Sequence, residues 1–116
     1  MSNDCLFCRI VAGEIPATIV HETPTTLAFR DIDPKAPVHT LVITRAHHTD
    51  IGTLTRDDPA LAADLLAATA AVAAAESVHT SGYRLIFNVG PDSGQEVPHV
   101  HGHVLGGAAM GWRPAG

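Results

Sequence analysis

The chain has 116 residues with 46% hydrophobic side chains, 10 glycines and 8 prolines, which suits a single domain over residues 1–116 with one core and excludes a disordered polymer. Its formal net charge of -5 excludes the basic face that long nucleic acids need, but leaves room for a small phosphorylated ligand held by backbone amides and histidines. Asp4, Arg9 and Glu14 interrupt any apolar leader, and the Ala67–Ala75 run is too short to span a bilayer, so a cytoplasmic protein with no membrane partner is expected.

In chain order, residues 5–11 (CLFCRIV) predict a short helix closed by Gly13. Pro16 then forces an extended backbone. Thr18 to His21 and Thr26 to Asp31 predict two strands joined by a turn at Pro24. Asp33 to Pro37 (DPKAP) is a loop stiffened by two prolines. Val38 to Thr44 (VHTLVIT) is rich in β-branched residues and predicts a central strand, with His39, Leu41 and Ile43 on one face.

One long helix follows, with Thr55 as the expected cap, Pro59 in the first turn and an end near Val78. Leu61, Leu65, Ala68 and Val72 form its apolar stripe. Tyr83 to Val89 predicts a strand, GPDSGQE a loop, and His99 to Gly106 (HVHGHVLG) the last strand. The tail from Met110 carries Gly111, Pro114 and Gly116 and predicts no regular structure. The order of elements suggests an α+β fold, an antiparallel sheet with the helix on one face. The order of the strands is not readable from the chain.

The last strand carries His99, His101 and His103 at alternate positions, so the three imidazoles share one face. A single histidine on a strand is usually a surface residue. Three on one face would repel when protonated and need partners when buried, so they point to chemistry. The outer two lie about 13 Å apart at the strand rise, too far for one metal with ligands at about 2.0–2.1 Å. The preceding loop brings Asn88, Gly94 and Gln95 beside the row, where glycine lets main-chain N–H groups approach an anion. Cys5-Leu6-Phe7-Cys8 is a two-thiolate pair that, in a reducing compartment, reads as metal ligation or redox chemistry.

HVHGHVLGG resembles the His-φ-His-φ-His-φ-φ motif (φ is hydrophobic) of the histidine triad family, in its Hint, or nucleotide-binding, branch. CLFCRIVAGEIPATIVHE, LAFRDIDPKAPVHTLVITRAHH and the GGxxMxWxP tail resemble further segments of that branch, in the same order. The resemblance implies a histidine triad sheet with one long helix and a short N-terminal helix, and a homodimer whose two sheets join into one. It implies a purine nucleoside phosphoramidase that releases nucleoside monophosphate through a nucleotidyl-histidine intermediate.

By the same resemblance His101 is the nucleophile, His103 a donor to phosphoryl oxygens or leaving group, and His39 a supporting histidine. Neutral imidazole is a good nucleophile near neutral pH, and the covalent intermediate divides one hard displacement into two. Asn88, Gly94 and Gln95 match phosphate-holding positions, and Asp31 matches the carboxylate that takes both ribose hydroxyls. Phe7, Ile10, Ile15, Phe29 and Ile32 match the apolar slot around a purine, although such residues also serve as ordinary core. Cys5, Cys8, His47 and His99 match a closed, structural Cys₂His₂ zinc site, with His48 an adjacent rival to His47; the chemistry itself requires no cofactor.

Three positions depart from the family pattern. Gly102 stands where a bulky apolar residue is usual, and is expected to mark a close backbone approach to the alanine-rich helix. Glu96, grouped with the nucleotide-binding positions, replaces a serine near the leaving group in many eukaryotic relatives. Arg113 replaces an apolar or proline residue beside Trp112. Two alternative functions are a zinc-stabilised nucleotide-binding regulatory module with incidental turnover, and a dinucleoside polyphosphate hydrolase, whose branch usually lacks the tail. A CxxC redox protein ranks last, because the usual βαβ context is missing.

Overall fold

The computed structural model describes residues 4–111, and its elements run α1 (Leu6–Val11), β1 (Ile19–Glu22), β2 (Thr26–Arg30), β3 (Val38–Thr44), α2 (Ile51–Asp57), α3 (Pro59–Ala75), β4 (Tyr83–Phe87) and β5 (His101–Gly106). The expectations for Trp112, Arg113 and the tail to Gly116 fall outside the described residues. The five strands form one antiparallel sheet in the order β1-β2-β3-β5-β4. β5 therefore lies between β3 and β4, and the α2–α3 segment crosses over to place β4 at the edge.

The sheet has a different partner on each face. Ala28, Val42, Val100 and Val104 pack with Leu54, Leu61, Leu65, Ala68 and Val72, so α2 and α3 cover one face. The expected stripe of α3 is buried throughout. On the other face Phe7 of α1 packs with Leu27, Phe29, Leu41 and Ile43. That second face also carries the histidines, because β3 and β5 pair Ile43 with His101 and Leu41 with His103. The long helix and the short one thus sandwich the sheet, and only the short one meets the histidine side.

β1 shifts by one residue, β2 ends one residue early at Arg30 and β4 ends at Phe87, two residues before the expected Val89; three further differences have local reasons. The long helix is two helices. Asp50 caps α2 by accepting from Thr53 N–H at 2.8 Å, and Asp58 caps α3 by accepting from Leu61 N–H at 3.1 Å. Asp58 sits at φ -150, ψ 77, because the following Pro59 disfavours a helical residue before it. Thr55 is no cap: its hydroxyl donates within α2 to the Gly52 carbonyl at 2.9 Å. α3 stops at Ala75, where Ser77 turns to φ 62, and Val78 is buried beyond the helix end. Finally β5 begins at His101, so His99 precedes the ladder.

Gly102 is a close approach, but to a strand and not to the helix. A Cβ there would meet the Phe87 ring at 2.9 Å and Leu85 Cδ1 at 3.2 Å. Phe87 is paired with Gly102 across β4 and β5, so its ring fills the space the missing side chain leaves.

Candidate functional site

The histidine row divides into two groups with His101 between them. His103 meets His39, with His39 Nε2 at 2.9 Å from His103 Nδ1. His99 turns towards Cys5, Cys8 and His47. His101 lies beside both, with its ring centroid 5.0 Å from that of His103 and 5.0 Å from that of Phe7. The distance argument from the sequence required such a division, and the sheet register supplies it.

Main-chain groups set the tautomer of each ring. The Lys35 N–H donates to His39 Nδ1 at 3.0 Å, so the neutral ring carries its proton on Nε2. That Nε2–H donates to His103 Nδ1, which leaves the His103 proton on Nε2. His103 Nε2 is buried and has no hydrogen-bond partner among the described residues. A buried donor left unpaired is costly, and an acceptor oxygen of a ligand would satisfy it. His101 has the opposite arrangement. Its Nδ1–H donates to the His99 carbonyl at 2.7 Å, so Nε2 holds a free lone pair.

Burial keeps these rings neutral. It drives His103 down to about 4, with the neighbouring His101 and His39 adding to the shift. Burial also lowers His101, against the opposing bond to the His99 carbonyl, and lowers His39, against the opposing charge of Asp31. A ring that must attack with a lone pair is therefore unprotonated at neutral pH.

Cys5, Cys8, His47 and His99 bring four donor atoms within 4.8 Å of one another. His99 Nε2 faces the Thr44 carbonyl at 2.7 Å, so it bears the proton and Nδ1 presents its lone pair to the sulfurs. Nδ1 lies 3.3 Å from Cys5 Sγ and 3.6 Å from Cys8 Sγ, and His47 Nδ1 lies 3.4 Å from Cys8 Sγ. A tetrahedral zinc with its usual S and N bond lengths has donor–donor edges of roughly 3.3–3.8 Å, so this set fits a closed metal site. The Cys8 N–H donates to Cys5 Sγ, a second contact that suits a thiolate. His48 takes no part, and its carbonyl instead accepts from Val100 N–H.

Asp31, His39 and His103 also gather three ligand-type atoms. Their hydrogen bonds argue against a cation. Metal on His39 Nε2 would move the proton to Nδ1, directly against the Lys35 N–H. This group is a hydrogen-bond relay.

The other expected positions are distributed unevenly. Asp31 Oδ1 accepts from Asp33 N–H at 2.8 Å and Oδ2 lies 3.4 Å from His39 Nε2; each oxygen keeps a further lone pair. Phe7 and Phe29 stack edge to face at 5.5 Å over the site, with Ile10 against the same cluster. Ile15 is half-buried and Ile32 fully exposed, so neither forms a closed wall with them. Asn88 follows Phe87, the partner of Gly102, and so lies beside His101.

The loop 90–97 differs from an open amide cradle. Gly94 N–H donates to Pro91 O and Gln95 N–H to Gly90 O. The Gln95 side chain accepts from Gly90 N–H and donates to the Thr49 and Val97 carbonyls, so it clamps the loop. Glu96 is exposed and lines a cavity of about 360 Å³ with Asp4, Leu6, His47 and Pro98, beside the cysteine cluster. The roles of the Lys35 amide and of the His99 and Thr44 carbonyls are invisible in the sequence, because a backbone group has no residue type to read.

A family model described as the HIT domain matches residues 12–110. An uncharacterised HIT-like protein of Synechococcus elongatus is 46% identical over 114 residues, which cover 98% of this chain and 99% of that protein. The purine nucleoside phosphoramidase of Escherichia coli is 35% identical over 111 residues, covering 96% of this chain and 93% of that protein. A crystal structure of a HIT family hydrolase from Legionella pneumophila superposes with a TM-score of 0.90 at 50% identity, covering 97% of this chain and all of that one.

Proposed function

The chain belongs to the HIT domain family, and on that footing we propose that it is a hydrolase of the purine nucleoside phosphoramidase type. The observation that carries this reading is the 2.7 Å bond from His101 Nδ1–H to the His99 carbonyl, which leaves Nε2 as a positioned, unprotonated nucleophile.

The reaction has two halves. The Nε2 lone pair of His101 bonds to the α-phosphorus as the P–N bond to the leaving amine breaks. The bonding electrons go to the amine nitrogen, which takes its proton from solvent, while the neutral His103 keeps its Nε2–H and donates a hydrogen bond to the phosphoryl oxygens. His39 Nε2–H supports His103 through its Nδ1. Water then attacks phosphorus, the P–Nε2 bond breaks, and its electrons return to His101. The water proton leaves to solvent, and His103 keeps its Nε2–H on the phosphoryl oxygens throughout. Positioning and charge stabilisation supply most of the acceleration in such transfers.

Asp31 takes the ribose hydroxyls, and Phe7, Ile10, Ile15, Phe29 and Ile32 border the purine. Asn88 stands on the phosphate side, whereas Gly94 and Gln95 serve to hold the neighbouring loop in shape. Cys5, Cys8, His47 and His99 hold a structural zinc, which ties the N-terminal segment to the catalytic strand and takes no part in the displacement. The relative's name and the geometry of His39, His101 and His103 support the enzyme reading over a pure binding module, which needs no nucleophile with a fixed tautomer. Among the described residues the outer edge of β4 has no neighbour in the sheet, and a second copy there would continue it as a homodimer. No helix among the described residues is long and apolar enough to cross a membrane.

The test is AMP release from adenosine 5′-phosphoramidate by wild type and His101→Ala, with an alkaline denaturing quench to trap the acid-labile P–N adduct. Turnover and an AMP–protein adduct are expected only with His101 present. Wild-type protein that binds AMP without turnover would return the chain to the binding-module reading.

A further inference from the structure

The metal-type cluster and the nucleophile share one residue. His99 offers its ring Nδ1 to Cys5 and Cys8, and its carbonyl holds the His101 ring. Residue 99 lies outside the β5 ladder, so no strand pairing fixes that carbonyl. Its anchors are the ring bond to the Thr44 carbonyl at 2.7 Å, its own N–H to Val97 O at 2.8 Å, the sulfurs of Cys5 and Cys8, and Val100 N–H, in the same peptide unit as the carbonyl, donating at 2.7 Å to the carbonyl of His48, the neighbour of His47.

A second link runs through Phe7, which sits between the two cysteines on α1. Its ring packs edge-on against His101 at 5.0 Å and against His99 at 5.9 Å. α1 has six residues, too few to be a stable helix alone. Its place on the sheet depends on Phe7 burial and on the contacts of Cys5 and Cys8 with rings 39 to 94 residues away along the chain.

We propose that His99 is a positioning residue for His101, and that metal ligation by Cys5, Cys8, His47 and His99 determines how firmly His101 is held in its attacking orientation. This rests on the phosphoramidase reading only for its consequence in turnover. Ligation closes Cys5, Cys8 and His47 onto the His99 ring, which fixes the carbonyl that selects the His101 tautomer. It also fixes Phe7 against the same ring. Loss of the metal leaves those positions to weaker thiol–imidazole contacts, so His101 samples both tautomers and more than one ring orientation. A ring displaced by a fraction of an ångström loses in-line geometry, while Asp31 and Phe29, the nucleoside-slot residues that are not on α1, keep their places.

The experiment compares zinc-loaded protein, chelator-stripped protein and zinc-treated His47→Ala, all without a polyhistidine tag. His47 is the exposed ligand, so its replacement disturbs the core least. Nitrogen NMR of the imidazoles reads the His101 tautomer directly. The loaded protein is expected to show one His101 tautomer, protonated on Nδ1, and both other samples a mixture. In steady state, kcat is expected to fall about 10-fold or more on metal loss, with KM for adenosine 5′-phosphoramidate changed much less.

A folded, stripped protein or His47→Ala protein with an unchanged His101 tautomer overturns the proposal. So does a loaded protein that already shows the mixture, or a protein that takes up no zinc. If stripping unfolds the chain, as circular dichroism would show, His47→Ala alone carries the comparison. A single loaded tautomer without hydrolysis would leave this coupling standing and defeat the phosphoramidase reading instead.

Discussion

His39 donates its Nε2–H to His103 Nδ1 at 2.9 Å across β3 and β5, and so decides which nitrogen of His103 bears the proton. The decision starts in the main chain, where Lys35 N–H occupies His39 Nδ1. Two histidines and one amide thereby keep a single unpartnered N–H, that of His103 Nε2, among the site's residues.

Replacing His39 should therefore weaken catalysis more than binding. His39→Ala removes the donor to His103 Nδ1 and frees the ring to flip its proton. The expected result is a kcat lower by about 10–100-fold, the usual cost of losing an orienting partner, with KM changed little. Steady-state hydrolysis of adenosine 5′-phosphoramidate measures both. A rise in KM with kcat intact would mean that His39 binds substrate and does not orient His103.

The depressed histidines make stability depend on pH. His103 falls from its ordinary 6.5 to about 4 in the fold, where it is packed against His101 and His39 and feels Asp31 and Lys35. Between those values the unfolded chain binds a proton that the folded chain does not. Stability from this group is thus complete above pH 6.5, declines as pH falls, and is lost by about pH 4. Denaturant unfolding at several pH values should show wild type losing stability on acidification more steeply than His103→Asn. Metal loss and titration of the other rings are common to both, so the difference isolates His103. Parallel curves would show that His103 titrates normally in the fold.

Much of this was legible because side-chain periodicity is a local property. Alternation placed His39, His101 and His103 on one face, and the β-branched run Val38–Thr44 fixed β3 to the residue. Asp58-Pro59 was also visible, but the helical spacing carried on through it and hid the break. Strand order was not legible, since it depends on where α2 and α3 return the chain. Nor were the amide of Lys35 and the carbonyls of Thr44 and His99, whose roles come from fold alone. Gln95 and Gly94 misled for a related reason: their type suits an anion cradle, yet the turn from Gly90 uses their N–H groups internally.

The helix break gives a simple stability contrast. Asp58→Ala removes the α3 cap bond to Leu61 N–H and should cost about 1 kcal/mol, within the usual 0.5–2 for such caps. Thr55→Ala loses one exposed bond inside α2 and should cost less than about 0.5 kcal/mol. Urea unfolding of the two variants decides it. Equal losses would mean that α2 and α3 act as one helix capped further upstream.

Gly102 ties packing to the site. Its missing side chain is replaced by the Phe87 ring, at 2.9 Å from where a Cβ would stand. Gly102→Leu, which restores the family's bulk, must displace that ring and should destabilise by about 1–3 kcal/mol. Trimming the neighbour tests the cause: Phe87→Leu alone opens a gap, but in the Gly102→Leu background it should recover part of the loss. The coupling in a double-mutant cycle should then be favourable by about 0.5 kcal/mol or more. Additive losses, or a higher melting temperature for Gly102→Leu alone, would show that Phe87 does not fill the glycine's space. Because Gly102 lies between His101 and His103 on β5, the same cycle measured on kcat shows how far the back of the strand holds its catalytic front.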